Sequence, residues 1–420
     1  MVLARINILY KTTHRSERPP IFAPDQTTTL LSLYTSQLQV YRFNIPVFGK
    51  GVVYDVPLDE RREQFKMLGD ALKTTKLELY VPMIQQEVAE FFGSWGEKKT
   101  VHLKDELAEL IVRTASRTLL GREVREYMYE EVKDLYNDLD AGMQPISVVA
   151  PYLPTAAHKK RDVARDKMKA LFTKVIEARI KSGAKENDML QTLIDGSYKN
   201  GTKLTPDQIT GMLIAGLFAG QHTSTVTSTW LGLFVGAEPD RLLPALVAEQ
   251  REIMKKYGNE INLAVLGEMK VMHAYITECL RINPPLVLLL RYARQPFTAK
   301  TSQGQEYYIP KGTIVCTSPT YHGTLAQLHA EPGKYDPMRW MEPRNEQDKM
   351  PFAFVGFGGG RHRCMGENFA YMQIKTIWTY LLRNFTWELA PGVTLPQPDY
   401  EAMVIGPKKG GNVVFTRRKL

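Results

Sequence analysis

Cysteine is scarce in this chain: among 420 residues only Cys279, Cys316 and Cys364 occur, and no two form a C-x-x-C pair. Neither a disulfide framework nor a cysteine-rich zinc site is therefore expected, and the compartment reads as reducing. A long apolar run near the start is also missing. The opening "MVLARINILY" stops at Lys11, where a charged patch begins, so it falls short of the about 18 apolar residues that cross a bilayer and no anchor is expected. Internal repeats and low-complexity segments are absent. A net charge of +9, from 54 Lys and Arg against 45 Asp and Glu, permits nucleic acid, an anionic membrane face or an acidic protein as partner. The basic bursts, such as "HKKRDVARDKMK" (158–169), lack the interleaved aromatics of a single-strand stacking surface. Nucleic acid is not among the expected partners.

What is present is a core-forming composition, 44% hydrophobic, with helical patterning over most of its length. Residues 1–40, broken by "RPPIFAPD", carry no assignable element. From Asp59, four stretches place apolar residues three to four apart: 59–95, 103–121, 125–140 and 160–183. "LTPDQ" predicts Thr205 as the N-cap and Pro206 as the first residue of a long helix to about residue 235. Another helix is expected from about 268 to 281, ending before Pro284. Then the period turns to two: "LVLLLRYAR", "EYYIPKGTIVCTSP" and "GNVVFTRR" read as strands, and a last helix is expected from Gly366 to about Asn384. The fold class is mainly α with a small β portion, and one large domain over 41–420 fits the pattern.

Cys279 and Cys316 sit in a helix and a strand, where a cysteine is ordinarily a small hydrophobe. Cys364 has a different setting, "FGGGRHRCMG" (357–366). Gly358, Gly359 and Gly360 allow close approach of the backbone to a flat ligand. Arg361, His362 and Arg363 add positive charge, and a helix opens just beyond, so a low-pKa thiolate is expected. The spacing fits neither a phosphatase loop, nor a dinucleotide loop, nor a P-loop. Metal ligation by a single thiolate remains, the arrangement haem iron uses.

The stretch resembles the haem-binding loop F-x-x-G-x-x-x-C-x-G of the cytochrome P-450 family, with Phe357, Gly360, Cys364 and Gly366 on the fixed positions. Glu278 and Arg281 resemble the family's E-x-x-R, and "YDPMRW" its P-x-R-F, offering Arg339. The resemblance implies a structural Glu–Arg–Arg brace. "AGQHT" resembles the oxygen-activation motif A-G-x-D-T, with Ala219, Gly220 and Thr223 matching and His222 in place of the acid. Hydroxyls there that bond back to the preceding turn are expected to open the helix locally.

His222 and the stretch "YRFNIPVFGKGVVYD" (41–55) make the chain similar to the family's sterol 14α-demethylase group, above all its plant and algal members. The similarity runs from Tyr41 to Leu420. It implies haem b, with Cys364 as axial ligand to the iron, Phe357 and Gly360 in its loop, and Tyr41, Tyr54, Arg291 and His362 at the propionates. A cation from the following helix would assist, Arg61, Arg62 or Lys66, with Arg62 expected at the cofactor. Phe43, Phe48, Ala215, Phe218, Ala219, Leu286, Leu288, Leu290 and Met403 would line the sterol site. Thr223 and an Asp140–His222 pair would deliver protons.

The implied activity is removal of the 14α-methyl group of an obtusifoliol-like sterol in successive oxidations, using O2 and electrons from NADPH through a reductase. The protein would act as a monomer at the cytosolic face of the endoplasmic reticulum membrane. Phe43 leans the substrate towards 4-monomethyl sterols. Members of the group carry an anchor and first strands ahead of Tyr41, and residues 1–40 show neither recognisably, so an N-terminally incomplete fold is expected. The alternative is a non-catalytic haem or sterol binder, or a truncated inactive form.

Overall fold

The computed structural model describes residues 35–36, 40–300 and 304–418. The longer helices are α1 (Leu58–Asp70), α2 (Thr74–Gly93), α3 (Leu103–Ala115), α4 (Tyr129–Ala141), α5 (Ala156–Ser182), α6 (Pro206–Ala237), α7 (Pro239–Tyr257), α8 (Lys270–Ile282) and α9 (Glu367–Asn384). The strands are β1 (Thr35–Ser36), β2 (Lys98–His102), β3 (Leu289–Ala293), β4 (Phe297–Lys300), β5 (Glu306–Ile309), β6 (Ile314–Thr317), β7 (Phe385–Leu389) and β8 (Asn412–Arg417). They form three small antiparallel sheets, ordered β1-β3-β6, β2-β8-β7 and β4-β5. The architecture is mainly α, as expected.

α6 is the axis of the core. It starts where the sequence places it: Thr205 Oγ1 accepts from Gln208 N at 3.2 Å, Gln208 Oε1 accepts from Thr205 N at 2.9 Å, and Pro206 occupies the first turn. From Ser224 to Gly236 it is buried all round, against α3, α9 and β7. Contact with α9 and β7 is fixed by two indole donors, Trp378 Nε1 to Ser228 Oγ at 2.7 Å and Trp387 Nε1 to the Gly232 carbonyl at 3.0 Å. One apolar cluster runs from Val47 to Phe415 around this axis.

Several elements differ from the sequence reading. The stretch 59–95 is two helices, and 125–140 is broken at Met128. α7 carries Pro239 and Pro244, which read as breakers, yet Pro239 lies in the first turn and Pro244 costs only a bond to that turn. β2 and β7 are recognisable only by their partner β8, whose apolar residues they flank. Most of 1–40 lies outside the described residues. Near its end Thr35 pairs with Ala293 and Ser36 with Tyr292, which adds β1 to the edge of β3.

A buried ionic cluster anchors α8 to the irregular segment that follows the strands. Glu278, fully buried, accepts from Arg281 at 2.8 and 2.9 Å, from Arg339 Nε at 2.9 Å, from Trp340 Nε1 at 2.9 Å and from the Asp336 backbone at 2.9 Å. Arg339 continues to Glu346 at 2.9 Å, where His329 and Arg344 also converge. Burial alone would raise the Glu346 carboxyl, but hydrogen bonds from Arg344 and Arg339 outweigh it and bring the pKa down to about 2. Such a cluster is tolerated because each charge is matched, and removing one partner leaves the rest orphaned.

Glu346→Gln should therefore lower stability at pH 7 by about 3 kcal/mol, measured by urea unfolding. Because the native carboxyl pKa is depressed, its contribution is complete above the unfolded value of about 4.5 and fades as pH falls towards about 2. The gap between variant and wild type should narrow below about pH 5.

Candidate functional site

The Cys364 loop lies between the ionic cluster and α9. Gly358 adopts a φ of +72°, which a side chain resists, and a Cβ on Gly359 would collide with Phe352. The loop backbone is closed by Cys364 N donating to the Phe357 carbonyl at 2.9 Å. α9 opens at Glu367 with Gly366 as its N-cap, marginally later than expected. Phe357 packs on Tyr371 with ring centroids 5.4 Å apart.

Cys364 is exposed, whereas Cys279 is buried. The expected low thiol pKa is corrected by the structure: although the residue keeps accessible surface, desolvation at the thiol itself pushes its pKa up and the Glu367 charge adds to that, with the Gly366 N–H and Arg363 opposing. The sequence shows how many cations are nearby but not where they point, and Arg363 is spent on Glu367 at 2.6 and 2.8 Å.

A Cβ added at Gly358 would lie 3.7 Å from Leu289 Cδ1 of β3, so the loop adjoins a second group of residues. Tyr41 OH accepts from the Leu290 backbone at 3.3 Å, and Tyr41 lies 5.7 Å from Tyr54 and 6.2 Å from Phe43, ring to ring. Arg291, only 2% exposed, donates to its neighbour's carbonyl at 2.9 Å, while its Nε finds no hydrogen-bond partner among the described residues. Burial pushes the Arg291 and Arg61 guanidinium pKa values down, and for Arg291 the Arg61 charge adds to that. His362 is half-buried in the same loop as Cys364.

The structure does not bring Arg62 to this group. Arg62 is largely exposed and pairs with Asp59 at 2.8 Å. Arg61 is the residue that turns inward, its guanidinium 5.5 Å from the Tyr54 ring centre and 4.5 Å from Phe65. α1 buries Arg61, Gln64, Met67 and Leu68, a spacing of three and four that leaves Arg62 outside. That apolar pair, Met67 and Leu68, was the signal available in the sequence.

α6 opens on one face only. Ala215, Phe218, Ala219, His222 and Thr223 are all at least partly exposed, as are Gly216 and Gly220 between them, in the middle of a helix whose flanking turns are buried, and their spacing aligns them along one side. Phe218 meets Phe48 at 6.1 Å and Tyr136 at 4.7 Å, so aromatic walls flank the face. Asp140 of α4 reaches His222 Nε2 at 2.8 Å. Thr223 Oγ1 donates to the Ala219 carbonyl at 2.7 Å, and Thr227 and Thr229 bond back likewise. The expected local opening is not found, for α6 stays continuous through these bonds. Leu286, Leu288 and Met403 expose about two-fifths to a half of their surface, and Leu290 is half-buried.

A cysteine in a glycine loop, together with the buried Arg61 and Arg291, the latter with no carboxylate partner among the described residues, suits a flat, dianionic, metal-bearing ring. Comparison decides which. A family model described as Cytochrome P450 matches residues 30–415. The chain belongs to the cytochrome P450 family. It is 50% identical to an obtusifoliol 14-alpha demethylase of Sorghum bicolor over 92% of this chain and 78% of that one. It is 47% identical to a sterol 14-demethylase of Arabidopsis thaliana with the same coverages, and 40% identical to a lanosterol 14-alpha demethylase of Bos taurus over 88% and 73%. In fold it matches a retinoic acid-bound cyanobacterial CYP120A1 with a TM-score of 0.82 at 23% identity, covering 94% of this chain and 88% of that one. As a P450 the protein is a haem-dependent monooxygenase.

Two outcomes are expected. Cys364→Ala abolishes the thiolate-type Soret band of the ferrous carbonyl complex, while Cys279→Ala, buried against the Tyr335 hydroxyl at 3.4 Å, leaves it in place. In haem-transfer assays to a scavenger protein, Arg61→Met should speed haem loss by about tenfold or more, and Arg62→Met should not change it.

Proposed function

We propose that this P450 is a sterol 14α-demethylase acting on obtusifoliol or a closely similar 4-monomethyl sterol. The observation that carries the reading is the Asp140–His222 pair, 2.8 Å apart beside the open face of α6. The relatives named for obtusifoliol, sterol and lanosterol demethylation support it. Cys364 would hold the haem iron, with Phe357 and Gly360 forming its loop. Tyr41, Tyr54, Arg61, Arg291 and His362 would hold the propionates. Bound haem supplies the iron chemistry that activates dioxygen at the 14α-methyl group.

The chain's own residues do the rest. Phe43, Phe48, Phe218, Ala215, Ala219, Leu286, Leu288, Leu290 and Met403 present apolar surface that binds a rigid steroid skeleton and excludes water. Asp140 is partly exposed and holds the His222 ring by its Nε2, so the pair links solvent to the α6 face. Thr223 Oγ1, one residue on, donates its proton to the Ala219 carbonyl and would pass a proton inward only by rotating off that bond. Three such oxidations convert the methyl group to alcohol, aldehyde and finally formate, leaving a C14–C15 double bond. Electrons would come from NADPH through a reductase, for which the net charge of +9 offers a basic surface.

No helix among the described residues is long and apolar enough to cross a membrane. Ile146, Val148, Val149, Tyr152 and Leu153 nevertheless lie exposed in the link between α4 and α5. That cluster supports contact with a membrane surface, which we place at the cytosolic face of the endoplasmic reticulum, with the protein acting as a monomer.

The test is turnover of obtusifoliol and lanosterol, separately, with NADPH and a plant P450 reductase. Formate and a 14-demethylated product from obtusifoliol are expected at a higher kcat/KM than from lanosterol. His222→Ala should keep sterol binding but lower kcat by about a hundredfold. A normal thiolate-type Soret band with no product from either sterol would overturn the reading.

A further inference from the structure

The segment that carries Phe48 and Tyr54 contains a residue in an unfavourable conformation. Val53 has a φ of 50°, a left-handed backbone that a β-branched side chain adopts only when its surroundings impose it. Its side chain is buried, and the groups around it show what imposes the turn. Gln64 of α1 has no exposed surface. Its Oε1 accepts from Val53 N at 2.9 Å, and its Nε2 donates to the Gly51 carbonyl and to Tyr198 OH, both at 2.9 Å. One amide thus uses its acceptor and both donors to hold two ends of a strained turn.

The far side of the amide is anchored as well. Tyr198 OH also accepts from Gln208 Nε2 at 3.3 Å, and Gln208 belongs to the capping box of α6. Phe48 is fixed separately: Arg165 of α5 donates to its carbonyl at 3.2 Å and to Asp207 Oδ1 at 2.9 Å. Gly211 lets the α6 backbone approach so closely that a Cβ there would collide with the Phe48 carbonyl. Between these fixed points, only Gln64 reaches the Val53 amide among the described residues.

We infer that Gln64 is a positioning residue: by locking the left-handed Val53 it sets Tyr54 against Arg61 and against the separately fixed Phe48 ring, so the aromatic wall is in place before substrate arrives. Gln64 lies one helical turn beyond Arg61 on the inward face of α1, so the same helix supplies both the cation and the lock. Preorganisation of this kind removes an ordering cost from binding. The inference deepens the reading of this site as a sterol pocket and rests on it.

The experiment uses the full chain in its haem-loaded form, as wild type, Gln64→Met and Tyr198→Phe. Gln64→Met keeps the length of the side chain and deletes its polar groups. Amide hydrogen exchange over 51–55 should accelerate by about tenfold or more with no comparable change elsewhere. Obtusifoliol affinity, from the Soret shift, should weaken by about tenfold, with the loss in turnover falling on KM more than on kcat. Tyr198→Phe, which leaves the Gln64 acceptor on Val53 but removes its far anchor, should give smaller changes of the same kind. A lower melting temperature with exchange raised evenly and sterol affinity unchanged would reduce Gln64 to a structural residue and overturn the inference. So would unchanged exchange over 51–55 in both variants. Should wild type bind no sterol, the functional reading fails while the exchange pattern still decides the lock.

Discussion

Glu278 is one carboxylate serving two buried guanidinium groups, an indole and a backbone amide. The desolvation cost of burying such charges is large, and it is offset only when every hydrogen-bonding position is filled. Here the filling comes from two places far apart in the chain: Arg281 on α8 itself, and the short segment that carries Asp336, Arg339 and Trp340. The segment they fix has only short helical pieces of its own and few apolar anchors, so it could not hold a single conformation through packing alone. It leads directly to the Cys364 loop. What the ion cluster contributes is therefore less a quantity of stability than a position: the iron-binding loop is held where α8 and the strands require it.

Much of this was legible in the sequence, and the reason differs by element. The N-terminus of α6 follows from Thr205-Pro206 because a cap is a local event, decided by residues three apart. The cofactor loop is legible because glycine, charge and cysteine are adjacent in the chain. Asp140 and His222 are 82 residues apart, and only resemblance to a family could join them. β2, with its "KKTVH", carries little pattern of its own, and it becomes a strand because β8 offers the ladder. The Cys364 thiol illustrates the converse failure. Counting neighbouring cations predicted a low pKa, whereas protonation depends on which of those cations is already engaged and on how much water has been removed.

The choice between Arg61 and Arg62 shows that a finer reading was possible. Adjacent residues on a helix point about 100° apart, so one of two neighbouring arginines must face outwards. Met67 and Leu68 mark the inward face, and counting back by threes and fours gives Gln64 and Arg61. That arithmetic turns a vague basic patch into one buried cation. It also brings forward a glutamine that no motif marks, since its role is to satisfy backbone groups that become strained only once the fold exists.

α6 gathers these demands on a single helix. Its second half must be apolar to form the core, while its open face must carry polar groups towards the reacting methyl group. The conflict is resolved by satisfying the polar groups locally: Gln221 accepts from Tyr136 OH at 3.0 Å, His222 from or to Asp140, and Thr223 returns to the turn behind it. Ser224 Oγ and Thr225 Oγ1 are buried and make no hydrogen bond among the described residues, a cost that lies beside the one stretch where chemistry needs polarity. The helix remains continuous because back-bonding threonines share carbonyls that already close the helical ladder. A continuous helix keeps His222 and Thr223 in fixed relation to Phe218 and Ala219, so the proton donors and the apolar wall cannot move independently of each other.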